Sequence, residues 1–97
     1  MYARLTLFNL GPGKRETAEK IMGQFAPKIK EREGFIKATF VADDTVGEYG
    51  GIILFESKKD AETAFKELSP RLQETLSGIQ GEPTFNTKLF EVLEPKN

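Results

Sequence analysis

The chain contains no cysteine, no histidine and no tryptophan. Without cysteine there is no disulfide, no thiolate nucleophile, no zinc–sulfur site and no iron–sulfur cluster. Without histidine the commonest general base and haem ligand is missing. Ser57, Ser69 and Ser77 therefore have no imidazole to activate them, and no nucleophile–base pair is visible. No apolar run approaches the roughly 20 residues of a membrane helix. The opening MYARLTLF is interrupted by Arg4 and lacks a signal-peptide core, so a cytoplasmic location is the expectation. The net charge of −1 gives no pull toward nucleic acid or an anionic membrane, and neither is expected as a partner.

What remains is a chain of 97 residues, 38% hydrophobic and 30% charged, which is globular and short enough for one domain spanning 1–97. A core this small is thin, and association strengthens it. Residues 34–56, GFIKATFVADDTVGEYGGIILFE, read as two strands joined by an acidic, glycine-marked turn. The run Ile52, Ile53, Leu54, Phe55 is apolar on both alternating faces and needs cover on both sides. Two modest helices cover only one.

In chain order, residues 2–9 read as a first strand. Its face Ala3, Leu5, Leu7 reads as core, and its mixed face Tyr2, Arg4, Thr6, Phe8 suits burial against another subunit. Residues 14–33 read as a helix with the stripe Ala18, Ile21, Met22, Phe25, Ile29, kinked or split near Ala26 by Pro27. Gly23 lies beside that stripe and suggests a close approach. Residues 35–41 and 49–56 read as strands, with a bulge or a close backbone approach at Gly50–Gly51. Ser57 reads as the cap of a second helix with the stripe Ala61, Ala64, Phe65, Leu68. Ser69–Pro70 is expected to restart that helix at an angle, continuing through Leu72, Leu76 and Ile79. Residues 84–93 read as a last strand ended by Pro95. The order is that of a ferredoxin-like βαββαβ fold of the α+β class: a four-stranded antiparallel sheet with helices on one face.

Two motif readings fail on detail. FNLGPGKRET places Gly13–Lys14 as a phosphate loop does, but Phe8 and Arg15 stand where that loop needs glycine and Ser or Thr. Tyr2, Phe8 and Phe90, placed on the open sheet face, suggest RNA stacking. The third strand, however, has none of the Lys or Arg that such a surface requires. Asp43 and Asp44 lack further oxygen ligands at a recognisable spacing, so no metal is expected.

PGKRE at 12–16, REGFI at 32–36 and GEYGGIILFESKKDAETAF at 47–65, taken together, resemble the antibiotic biosynthesis monooxygenase-like family of the dimeric α+β barrel superfamily. The resemblance spans nearly the whole chain. It implies a homodimer in which the open faces of two sheets pack into an eight-stranded barrel, covering the second face of the Ile52–Phe55 run. It also implies an apolar pocket between sheet and helices in each subunit. Some members oxygenate polycyclic aromatics without metal or flavin; others degrade haem. The haem-degrading set of Asn, Trp and His is not matched here: the Asn position falls near Ala3, and Trp and His are absent.

The expected function is thus to bind, and to oxygenate without a cofactor, a small aromatic metabolite. The alternative is a non-catalytic, ligand-binding or stress-associated member of the same fold. The expected pocket comprises Leu5, Leu7, Phe25, Phe40, Phe65 and Leu72, with Arg71 or Tyr49 as polar anchor. Asn9, Asn86, Arg4 and Arg71 are the remaining polar candidates for chemistry, and none matches a catalytic motif.

Overall fold

The computed structural model of the chain describes residues 1–81 and 83–93. Its elements are β1 (Tyr2–Asn9), α1 (Arg15–Lys30), β2 (Phe35–Asp43), β3 (Glu48–Phe55), α2 (Lys58–Ser77) and β4 (Phe85–Glu91). The sheet order is β2-β3-β1-β4, and every neighbouring pair is antiparallel. This is the expected βαββαβ arrangement. Pro95 lies outside the described residues.

Register decides which side chains share a face, because directly paired residues point the same way. Arg4 pairs with Ile53, Thr6 with Gly51 and Phe8 with Tyr49. On the other edge of β1, Arg4 pairs with Leu89 and Phe8 with Phe85. This is the face the helices cover. Phe8 and Tyr49 pack with Ala18, Ile21 and Phe25 of α1 and with Leu76 of α2. Ile53 and Phe55 pack with Ala61 and Ala64 of α2.

The expected faces of β1 are therefore reversed. The Arg4, Thr6, Phe8 side is the inner one, and Ala3, Leu5 and Leu7 lie on the open side with Leu54, Ile52 and Gly50. Tyr2 and Phe8 leave the open face, so of the proposed stacking trio only Phe90, paired there with Ala3, remains on it.

Two further expectations change. The strand irregularity falls between Phe35 and Lys37, not at Gly50–Gly51, where the pairing is continuous. At Gly50 the alternative, close approach, is what occurs: a Cβ would sit 1.9 Å from the Thr6 carbonyl oxygen. A Cβ on Gly23, by contrast, meets nothing within 4 Å, so no neighbour approaches there.

Both helices run through their prolines, α1 through Pro27 and α2 through Pro70, so neither is split. The missing proline N–H costs one hydrogen bond. In α2 the stripe from Ala61 to Leu76 continues across Pro70, and docking it on the sheet stabilises the helix there, since tertiary packing supplies most helix stability. Ser57 caps α2 as its position implies, its Oγ accepting from the Asp60 N–H at 3.1 Å. Arg32, just past α1, pairs with Glu67 of α2 and ties the two helices together. Among the described residues no helix is long and apolar enough to cross a membrane.

Candidate functional site

The helix-facing core is two clusters rather than one. The reason lies in the sheet rows. Between the bulky Phe8–Tyr49 row and the Ile53 row comes Thr6 opposite Gly51, so the floor there is a hydroxyl-bearing small side chain and bare backbone. On the α2 side the small Ala61 and Ala64 are part of the lining. A cleft of about 110 Å³ results, walled by Ile21, Met22, Phe25 and Ile29 of α1, Phe65, Leu68 and Leu72 of α2, and Phe40 of β2. Phe40 leans over the glycine: a Cβ on Gly51 would come 3.1 Å from its ring.

Polar groups in the lining are few: Arg4, Thr6 and Ser69. Thr6 Oγ1 is engaged with Thr87 Oγ1 at 3.3 Å. Arg4 differs from these. Its guanidinium carbon stacks 4.4 Å from the centre of the Phe65 ring, a cation–π geometry. Its Nε is buried and has no hydrogen-bond partner. Desolvation by the apolar surroundings lowers its pKa, with Glu62 pulling in the opposite direction. No carboxylate among the described residues forms an ion pair with it. A buried N–H without an acceptor is unfavourable.

Of the expected pocket residues, Phe25, Phe40, Phe65 and Leu72 meet in this cleft. Leu5 and Leu7 lie across the sheet on the open face, because the strand faces are reversed. Neither expected anchor reaches the cleft. Arg71 is exposed on α2. Tyr49 is fully buried beside Phe8, their ring centres 6.5 Å apart, and its hydroxyl donates to Asp44 Oδ1 at 3.1 Å. Asp44 in turn holds Arg15 at 2.7 Å, so Tyr49 clasps the β2–β3 turn to the start of α1. Burial, then the bond to Asp44, pushes the Tyr49 phenol up from its ordinary value. Asn9 Oδ1 caps its own turn by accepting from the Gly11 N–H at 2.9 Å, and Asn86 is exposed on the open face.

Arg4 is the cleft residue that pattern reading places on the wrong side. The signal for it is in β4. There Phe85, Thr87 and Leu89 alternate with Asn86, Lys88 and Phe90, and the more apolar row is the one that pairs with Arg4's face. Among the described residues no cluster of His, Cys, Asp or Glu is arranged to hold a metal ion.

No curated protein sequence matches the chain significantly. Solved structures do. SnoaB, a cofactor-independent oxygenase from Streptomyces nogalater, superposes with a TM-score of 0.75 at 16% identity, over 97% of this chain and 94% of its own. The monooxygenase ActVA-Orf6 of Streptomyces coelicolor, solved with nanaomycin D, gives 0.67 at 20% identity, over 99% and 92%. A variant of MhuD carrying two manganese protoporphyrin IX molecules per active site gives 0.72 at 14%, over 100% and 99%. At these identities the likeness is one of fold. The model of the family described as "Putative mono-oxygenase ydhR" matches residues 7–97, and the chain belongs to that family.

Proposed function

We propose that this chain is a small cytoplasmic homodimer that binds an aromatic metabolite between sheet and helices and oxygenates it without a cofactor. The observation that carries the reading is the cleft: apolar and aromatic walls of about 110 Å³ beside a buried side-chain N–H, that of Arg4 Nε, which has no partner among the described residues. Membership of a mono-oxygenase family and the fold shared with SnoaB support the chemistry. With no cofactor the substrate supplies every electron. A dihydroxyarene and O2 then give a hydroxyquinone and water, one oxygen atom entering the ring and the other leaving as water. The protein's part is to hold the arene, exclude bulk water and stabilise developing negative charge beside Arg4.

One observation favours the second reading, a binding protein without turnover: the cleft lining holds no carboxylate, imidazole or phenol to take the substrate's proton. Oxygen consumption with a panel of dihydroxyarenes and no added cofactor separates the two. Uptake that disappears in Leu72→Trp, which fills the cleft, supports oxygenation. Thermal stabilisation by the same compounds without uptake supports binding alone, because a ligand of the native state raises its stability. Neither uptake nor stabilisation removes both.

A further inference from the structure

The shape of Arg4's surroundings narrows the ligand, given that the cleft is a ligand site. One face of the guanidinium is covered by Phe65, so partners must approach in its plane. In that plane Nε and its neighbouring terminal nitrogen form a two-donor edge that matches a carboxylate's two oxygens. Nε is the atom left without an acceptor. Inward from Arg4 lies the apolar cleft. A second groove shares Arg4 and Phe65 and adds Lys59, Lys66, Thr63 and Glu62, two cations against one acid beyond Arg4 itself. An anion is thus drawn to the mouth, while the cleft accepts only apolar surface.

We propose that Arg4 is the specificity-determining residue of the cleft and that the ligand is an aromatic carboxylate, its ring beside Phe25 and Phe65 and its carboxylate on the Arg4 guanidinium. Glu62 is the competitor: it faces the same guanidinium and weakens the site for an anion.

The probes are 2-naphthoate and its neutral isostere 2-naphthamide, titrated by calorimetry near neutral pH and low salt. A charge-assisted pair replacing a neutral contact gives the acid an advantage of about tenfold or more in Kd for the wild-type protein. Arg4→Met, which keeps the bulk, removes that advantage and leaves naphthamide binding within about twofold, a pattern that general loss of structure does not produce. Arg4→Lys restores part of the preference, as a point charge without the fork. Glu62→Gln tightens naphthoate and leaves naphthamide unchanged, which decides the matter if Arg4→Met fails to fold. Equal binding of both probes to wild-type protein, a preference that survives Arg4→Met, or no effect of Glu62→Gln overturns the assignment of Arg4 and leaves the cleft reading standing. Failure of both probes to bind removes the cleft reading, and this one with it.

Discussion

Tyr49 buries its whole ring and still brings its hydroxyl to an exposed carboxylate, Asp44, at 3.1 Å. That geometry has a consequence in alkali. An unfolded tyrosine loses its proton near pH ~10. Burial raises the folded value above that, so in the window between the two the native state binds more protons than the unfolded one. Stability then falls as pH rises past about 10, the sign expected when the unfolded state binds fewer protons. Urea midpoints measured from neutral pH to alkali should drop for the wild-type protein beyond about pH 10, and the drop should be shallower in Tyr49→Phe, which has no proton to lose. Superimposable slopes for the two proteins would remove the clasp from the account. Residue-scale reading from sequence is weakest at this point. Tyr49 and Arg4 were both visible as candidates, but which is a clasp and which faces a cleft depends on strand faces. On β1 both faces carry apolar side chains, Leu5 and Leu7 against Phe8, so alternation alone cannot choose between them.

At the scale of elements the pattern carries further. The helix stripes, the acidic turn and the Ser57 cap are all read correctly from spacing and local chemistry, and together they specify βαββαβ. What spacing misreads is continuity. Pro27 and Pro70 mark local breaks, yet each helix continues, because the face that docks on the sheet runs past the proline. Of the two readings of Gly50–Gly51, the close backbone approach holds and the bulge does not: the glycines bring β1 and β3 together and open the cleft floor, and the irregularity falls at Phe35–Lys37. Gly23 shows the same limit with a measurable result. It sits exposed in mid-helix with open space where a Cβ would be. Nothing there requires glycine, and glycine in a helix interior costs roughly 0.5–1 kcal/mol relative to alanine. Gly23→Ala should therefore raise unfolding free energy by about that amount, read from denaturant titration with an unchanged m-value. Destabilisation instead would mean that something absent from the isolated subunit packs against α1 at this point.

For the molecule as a whole the unsolved quantity is the open side of the sheet. Both helices lie on the other side, yet the open one carries Leu5, Leu7, Val41, Ile52, Leu54 and Phe90. Ile52 is 40% exposed and Phe90 49%, in a chain whose core is already thin. Apolar side chains gathered on one surface, with Lys37, Lys88 and Asn86 among them, are the composition of an interface rather than of a solvated face. A second copy offers the same surface, and two four-stranded sheets meeting face to face would make the eight-stranded barrel that the family resemblance implies. In such an arrangement a substitution occurs on both subunits at once. Ile52→Lys places two charges in the buried centre, and loss of about 2 kcal/mol or more, roughly thirtyfold in Kd, is the scale for a central interface residue. Sedimentation equilibrium at micromolar concentration should give a dimer for the wild-type chain and a monomer for Ile52→Lys, with the helical circular dichroism of both alike, since Ile52 touches neither helix-facing cluster. Because Gly51 and Ile52 are neighbours on opposite faces of β3, the same variant reports on the cleft. A monomer that still binds 2-naphthoate would make the barrel a device for covering the sheet alone. A monomer that has lost naphthoate would make the cleft floor depend on the partner's support from behind.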